Sequence, residues 1–347
     1  MGAEKGWPFV AETPSPACLA ERSWPRVSLV TPSYQQANYL ERTILSVLNQ
    51  GYPDLEYFVM DGGSTDGSVD LIQRYESKLA GWESEPDRGQ SHAVNKGWTR
   101  ATGTYVWWLN ADDMLTPGSL FASVRYLEDH PRAGMVYGDL VIMDAQNACR
   151  GRHRYEDFAY AKVLQTGQDI SQAGALMRRS CIDQIGYLNE KLHLVMDLEY
   201  WHRMALAGIE IDHLAEPLAL FRVHDETKTQ SSPVELVEER HHVARLITKH
   251  PRFLAAYRHL EDTVWSSAYA ACARNYVKAG AFGKGLRACW RSLLARPAML
   301  FRPAWWYLVF LNGTGLLLGR DRWLRLREKV RAWRRADQQG PIGEPLQ

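Results

Sequence analysis

Cysteine is sparse and scattered in this chain. Its five cysteines, Cys18, Cys149, Cys181, Cys272 and Cys289, are odd in number and form no CxxC pair. That spacing argues against a disulfide framework and against a zinc site, and it fits a reducing compartment. Long apolar runs are lacking too. The opening Met1-Gly-Ala-Glu-Lys-Gly-Trp-Pro8 has no apolar stretch of the signal-peptide kind. The strongest membrane candidate, Ala304 to Leu318, is interrupted by Asn312, Gly313 and Gly315. It falls short of the roughly 20 apolar residues that a span requires, so it reads as buried or interfacial. The expected location is therefore cytoplasmic, with peripheral attachment at the inner face of the cell membrane as an extension of that reading. Charge of one sign is absent overall, since the net charge is only +1. No nucleic-acid recognition motif accompanies the basic residues, so nucleic acid is not expected as a partner.

What the chain has is enough apolar material for a core, 46% of 347 residues, and a marked charge asymmetry. Residues 233–347 carry 20 Lys and Arg against 9 Asp and Glu, whereas residues 1–232 carry 21 against 31. An acidic head joined to a basic tail predicts two jobs, the tail lying near an anionic surface. Residues 1–25, rich in proline and poor in periodicity, read as an N-terminal arm. Residues 26–232 read as the main domain and 233–347 as a basic, tryptophan-rich helical extension.

Hydrophobic periodicity predicts alternating strands and helices. Arg26 to Thr31 reads as a strand stopped by Pro32-Ser33-Tyr34, and Tyr39 to Asn49 as a helix. Leu55 to Met60 reads as a second strand, followed by the polar loop Asp61-Gly-Gly-Ser-Thr-Asp-Gly67 and a helix from Ser68 to Leu79. After the loop Pro86 to Gln90, a helix is expected over Ser91 to Ala101. Tyr105-Val-Trp-Trp-Leu109 then reads as a strand buried on both faces, ending in Asn110-Ala-Asp-Asp113. Adjacent carboxylates at such a strand end are costly unless something positive sits among them. A divalent metal holding a phosphate-bearing ligand would serve; so would the simpler role of a polar turn capping the next helix. Further elements are a helix from Pro117 to Asp129, a strand from Met135 to Met143, a helix from Asp197 to Ala207 and a strand from Pro217 to Val223. Residues 144–170 are poorly patterned and read as a mobile loop. Polar loops at strand C-termini belong to an α/β fold that binds ligands at the carboxyl edge of a mostly parallel sheet.

Seven motifs, in order, carry a resemblance. They are Val30-Thr-Pro-Ser-Tyr34, Ser46 to Gln50, Asp61 to Gly67, Glu85-Pro-Asp-Arg-Gly-Gln90, Leu109 to Asp113, Met196-Asp-Leu-Glu-Tyr-Trp201 and Phe221-Arg-Val-His224. Together they resemble glycosyltransferase family 2, the inverting nucleotide-sugar transferases of the GT-A fold. The resemblance covers residues 26 to 232. It implies an α/β Rossmann-like, mostly parallel sheet flanked by helices, with the C-terminal helices as an extension. It further implies a UDP-, GDP- or dTDP-sugar donor, a saccharide or lipid-linked saccharide acceptor, and a Mg2+ or Mn2+ cofactor. The setting implied is surface polysaccharide biosynthesis.

By the same resemblance Asp112 is a metal ligand, because a cation held there neutralises the departing diphosphate. Asn110 faces the ribose or the metal's water shell, and stands where the family usually has a charged aspartate. Asp113 reads as a cap for the next helix. Asp61 resembles the carboxylate that meets the nucleobase, with Gly62 replacing a second aspartate frequent in the family; Asp61 equally suits a turn. Asp66 reads as a helix N-cap. Pro32 and Tyr34 resemble the loop that covers the base, with Tyr34 stacking on it. Arg88 and Lys96 are placed to meet the nucleotide's charge or are ordinary solvated cations. Asp197 is the candidate catalytic base that takes the acceptor hydroxyl's proton, with Glu199 a weaker rival and helix capping the bland alternative. His224 resembles a second metal or diphosphate contact.

The tail holds six tryptophans at 265, 290, 305, 306, 323 and 333, and Trp305-Trp-Tyr307 is flanked by Arg296, Arg302, Arg320 and Arg322. This resembles an interfacial anchor on anionic lipid; a helical subdomain with a solvated basic face is the competing reading. Two other functions compete with the transferase: a non-catalytic sugar-nucleotide or glycan binder, given Asn110, Gly62 and Met196, and a sugar-phosphate nucleotidylyltransferase. The latter needs a glycine-rich basic loop after the first strand, and Thr31-Pro-Ser-Tyr-Gln-Gln36 offers none.

Overall fold

The structure is a computed structural model and describes residues 7–8, 23–167, 170–224 and 233–325. Along the first part of the chain run β1 (Val27–Ser33), α1 (Ala37–Leu48), β2 (Leu55–Asp61), α2 (Ser68–Tyr75), β3 (Gly81–Ser84), α3 (Gln90–Arg100) and β4 (Tyr105–Trp108). There follow β5 (Met114–Leu115), α4 (Ser119–Asp129), β6 (Ala133–Asp144), β7 (Cys149–His153), α5 (Tyr160–Thr166), β8 (Ala175–Arg178), α6 (Ser180–Ile185), α7 (Met196–Ala207) and β9 (Glu210–Val223). The tail contributes α8 (Pro233–Lys249), α9 (Pro251–Ala256), α10 (Glu261–Ala279), α11 (Phe282–Ala295) and α12 (Pro303–Leu318).

The strands form one sheet in the order β3-β2-β1-β4-β8-β6-β9-β5, with β7 paired to β6. The half containing β3, β2, β1 and β4 is parallel, so the strand C-termini and their polar loops share one edge. β8 runs antiparallel to both β4 and β6 and joins this half to the parallel pair β6–β9. β1 and β4 are buried along their whole length, as expected for strands covered by helices on both faces. α3 reaches β1 closely because residue 97 is glycine: a methyl group there would lie 2.5 Å from Val30 Cγ1. On β4, Trp108 is stacked on Trp201 of α7, with ring centroids 5.6 Å apart, and meets Trp98 of α3 edge-on at 5.3 Å. The Trp108 ring is thereby held by two helices immediately before Leu109-Asn110.

Several sequence expectations need correction. β1 does not stop before Pro32 but runs through it to Ser33. β4 pairs with β1 only as far as Val30, and Pro32 pairs onward with Met60 of β2, so its missing N–H removes no ladder bond. The helix expected to reach Leu79 is α-helical to Tyr75 and closes in a 3-10 turn over Glu76–Lys78, before the short strand β3. Residues 144–170 are not a featureless loop, because β7 and α5 lie within them. The buried Asp139 carboxylate fixes that segment. It accepts hydrogen bonds from Tyr155 N (3.0 Å), Arg152 Nη2 (2.9 Å) and His213 Nε2 (2.9 Å). Of the arm, Trp7 donates its indole N–H to Leu115 O, and Pro8 O accepts from Asn49; residues 1–6 and 9–22 lie outside the described residues.

The described residues fall in two compact units, one within Met1–Ser231 together with Lys249–Ala256, the other within Ser232–Thr248 and Tyr257–Gln347. The second unit is helical and has its own core, including Val237, Cys272, Cys289, Trp305 and Leu308. The buried amide of Asn312 is held by Leu308 O at 2.9 Å, and Ser266 and Ser292 bond to each other across α10 and α11. Cys272 and Cys289 lie inside this core, where burial pushes their thiols up to about 12 and about 11.

Candidate active site

The carboxyl edge of the parallel half carries the polar residues singled out in the sequence. Asp61 ends β2 fully buried. Its Oδ2 accepts from Gly63 N (3.0 Å), Ser64 N (2.8 Å) and Ser84 Oγ (2.7 Å), and its Oδ1 from Ser64 Oγ (2.6 Å). This carboxylate therefore shapes its own loop. Asp66 ties two helices to that loop: Oδ2 accepts from Ala37 N at the start of α1, and Oδ1 from Ser68 N and Oγ at the start of α2. The N-cap position of α2 is Gly67, one residue later than expected, yet Asp66 still satisfies an orphan N–H there. Burial pushes the Asp66 carboxyl up, but these donors more than offset it and hold it below its ordinary value.

Asp112 and His224 meet. His224 Nε2 lies 3.0 Å from Asp112 Oδ2, and the imidazole packs on the Tyr39 ring with centroids 4.9 Å apart. Beneath them Arg222 is buried. Its Nε donates to Asp112 O (2.8 Å), its Nη1 to Asn147 Oδ1 (2.6 Å), and its guanidinium lies 4.6 Å from the Tyr39 ring centroid. Asp113 is not the helix cap expected of it. The N-cap of α4 is Gly118, while Asp113 Oδ1 accepts from Arg222 N (3.0 Å) and Oδ2 from Gln172 Nε2 (3.4 Å). Asp113 thus pins the last strand, and His224 with it, against the end of β4. Burial, then the neighbouring charge of Asp112, raises the Asp113 carboxyl well above its ordinary value. Burial lowers the Arg222 guanidinium in turn.

Asn110 Oδ1 accepts from Gln90 Nε2 at 2.6 Å, which links the end of β4 to the start of α3. The lead-in to α7 docks at the same place. Ser91 Oγ donates to Leu192 O, Asn95 exchanges bonds with Leu188, and a methyl group on Gly89 would lie 2.8 Å from His193 Nδ1. Four residues beyond His193 stands Asp197, at the first turn of α7 and one turn before the buried Trp201. Its Oδ1 accepts from Leu198 N at 2.8 Å. Glu199, the rival base, is paired with Arg203 at 2.9 Å, whose guanidinium is anchored in turn to Ile185 O and Tyr187 O.

The remaining sequence candidates have clear partners or positions. Arg88 bonds Glu190 Oε2 through Nε and Nη2, at 3.0 and 2.5 Å. Lys96 is paired with Glu83 of β3. Pro32 is buried within β1, while Tyr34 is 62% exposed at its end. Arg222, Tyr39, Gln90 and Asp87 were not assigned roles from sequence. Arg222 lies inside a quoted motif, but only the antiparallel pairing of β5 with β9 brings it against Asp112.

For a divalent ion, the donor set is Asp112 with His224. Among the described residues no group of three or more His, Cys, Asp or Glu side chains converges on one point. One carboxylate completed by diphosphate oxygens and water is a usual setting for Mg2+, whereas the imidazole beside it favours a transition-metal ion such as Mn2+.

Comparison with known proteins follows this geometry. A profile described as glycosyl transferase family 2 matches residues 28–186. The putative teichuronic acid biosynthesis glycosyltransferase TuaG of Bacillus subtilis is 30% identical over 203 residues, covering 57% of this chain and 79% of TuaG. This chain belongs to glycosyl transferase family 2. The sheet accordingly is of the GT-A type. Solved structures agree at the level of fold. TarS of S. aureus matches with a TM-score of 0.57 at 17% identity, covering 84% of this chain but only 54% of TarS. The TarS 1–349 complex with UDP-GlcNAc matches with a TM-score of 0.53 at 14% identity over 78% of this chain and 89% of that one. The mannosyltransferase PcManGT of Pyrobaculum calidifontis, in complex with GDP-Man and Mn2+, matches with a TM-score of 0.56 at 20% identity over 86% of this chain and 90% of that one.

Proposed function

We propose that this glycosyltransferase moves a sugar, with inversion, from a nucleoside diphosphate donor to a saccharide or lipid-linked acceptor. The observation that carries the reading is the pairing of Asp112 with His224 at the end of β4, beside the lead-in to α7 that bears Asp197. Asp112 and His224 would hold a Mg2+ or Mn2+ ion. When bound, such an ion neutralises charge on the leaving diphosphate. Asp197 takes the proton of the acceptor hydroxyl as that oxygen attacks the anomeric carbon, so a single displacement inverts the centre. Arg222 and Asp113 keep Asp112 and His224 in register. Relatives named for a UDP-GlcNAc complex, for GDP-Man with Mn2+ and for teichuronic acid biosynthesis support a nucleotide-sugar donor, metal use and a surface-polysaccharide acceptor.

The second unit suits attachment to an anionic lipid surface. Among the described residues no helix is long and apolar enough to cross a membrane. α12 is apolar around most of its circumference, yet only Trp305, Leu308, Asn312 and Gly315 of it are buried. Trp306, Tyr307, Phe310 and Leu317 are exposed, as is Phe301 before the helix, and Arg296, Arg302, Arg320 and Arg322 flank the stretch. An exposed apolar face bordered by arginines matches a headgroup interface.

The test is turnover by Asp197→Asn. Release of nucleoside diphosphate from the preferred donor should fall by about 10²–10⁴-fold while donor affinity stays within about twofold. Equal turnover in variant and wild type would remove Asp197 as the base, and absence of donor hydrolysis or transfer in the wild type would favour the non-catalytic binder.

A further inference from the structure

Gly62 follows the buried Asp61 and has no positive φ that would demand glycine. The reason for glycine is space. A methyl group there would lie 2.9 Å from Asp87 Oδ2 and 3.3 Å from Tyr34 Cδ2. Asp87 therefore lies over the Gly62 backbone, in the space that a side chain at 62 would need. Its Oδ1 accepts from Gly89 N at 2.7 Å, which orients the carboxylate and leaves Oδ2 facing Gly62 and Tyr34. Tyr34, at the end of β1, offers an exposed ring beside that oxygen. An aromatic platform and one aimed acceptor thus flank a bare strip of backbone at the carboxyl ends of β1 and β2. Asp61 is fully buried, with both oxygens turned into its own loop.

We propose that Asp87 is the residue that selects the nucleobase, and that the one oxygen it turns toward Gly62 and Tyr34 selects uracil or thymine. The inference rests on the nucleotide-sugar reading above and names the donor class. Uracil and thymine present one imino N–H between two carbonyls, which matches one acceptor. Guanine presents two adjacent donors, which call for both carboxylate oxygens on one edge, whereas Oδ1 is turned to Gly89 N and Oδ2 is the oxygen nearest Gly62 and Tyr34. Adenine and cytosine place a ring-nitrogen lone pair beside their amino group, and a carboxylate repels it. Tyr34 supplies stacking that every base shares and so contributes affinity without choice.

The experiment is calorimetric binding of UDP, dTDP, CDP, GDP and ADP, each with Mg2+, to the wild type, Asp87→Asn and Tyr34→Ala. The wild type should prefer UDP or dTDP over GDP, ADP and CDP by on the order of tenfold or more. In Asp87→Asn the Gly89 N–H retains the amide oxygen, so an NH2 group replaces Oδ2. UDP and dTDP should then weaken by on the order of tenfold, while CDP, whose N3 accepts, should strengthen relative to them. Tyr34→Ala should weaken every nucleotide and keep their ranking. Equal weakening of all five by Asp87→Asn would mean a purely structural Asp87 and overturn the proposal. So would a wild-type preference for GDP or ADP, which leaves the transferase reading intact. Failure of the wild type to bind any of the five would instead overturn the nucleotide-sugar reading itself, and the proposal with it.

Discussion

His224 Nε2 and Asp112 Oδ2 lie 3.0 Å apart although 112 residues separate them in sequence. Asp113 produces this meeting, because it takes the backbone N–H of Arg222 and so fixes where the last strand ends. The arrangement predicts a division of labour. Asp112→Asn should abolish Mn2+-dependent stabilisation of the protein by its nucleotide, read as the shift in Tm with and without metal. His224→Gln should weaken that shift without removing it, and turnover should fall by about 10²–10³-fold in Asp112→Asn. An undiminished metal-dependent shift in Asp112→Asn would exclude it as the ligand.

Glu199→Gln offers a contrast with Asp197. It breaks the pair with Arg203, whose other bonds hold the loop before α7. We expect a stability loss of about 1–2 kcal/mol in denaturant unfolding, with turnover retained within about threefold. A loss of turnover matching that of Asp197→Asn would transfer the base role to Glu199.

Gly97→Ala should destabilise the sheet by about 1–3 kcal/mol, the usual cost of overpacking, because its methyl would meet both Val30 γ-carbons at 2.5 and 2.6 Å. Val30→Ala removes those carbons. The double variant should therefore be less destabilised than the sum of the two single changes, a coupling that urea titration can measure. Strict additivity would show that α3 shifts away from β1 instead.

Asp139 makes stability depend on acid. Burial works against its charge, but the Tyr155 N–H, His213 and Arg152 more than compensate and hold its carboxyl below the ordinary range. A depressed carboxyl stabilises the fold above its unfolded pKa, about 4. That contribution is lost as pH falls through the lower native value, where the native state must take up a proton. Asp139→Asn should lose about 1–3 kcal/mol at neutral pH and unfold with a shallower pH dependence below pH 4. An unchanged acid limb would assign that dependence to other carboxylates.

The exposed face of α12 can be altered without touching its core. Tyr307→Ser with Phe310→Ser and Leu317→Ser should leave Tm nearly unchanged, since these side chains are exposed. Co-sedimentation with vesicles rich in phosphatidylserine should fall severalfold, and the residual binding should weaken with salt. Equal sedimentation of variant and parent would count against lipid attachment.

The sequence alone determined the α/β class, the strands β1, β2, β4 and β6 with the C-terminal half of β9, and the order of the seven motifs. Those signals are local: apolar runs, helical spacing, and glycine-rich loops that must follow strands. It also pointed to a C-terminal helical region, since charge and tryptophan content shift there. It could not tell how polar residues choose partners. Asp61, Asp113 and Asp66 look alike in a motif, yet one closes its own loop, one holds a distant strand and one joins two helices. The segment 144–170 looked unpatterned because its order comes from the buried Asp139, not from periodicity. The same holds at Gly62, where the missing carboxylate is visible in the sequence. That Asp87 fills its space was decided only by tertiary structure, because it depends on two loops from different strands meeting at one sheet edge.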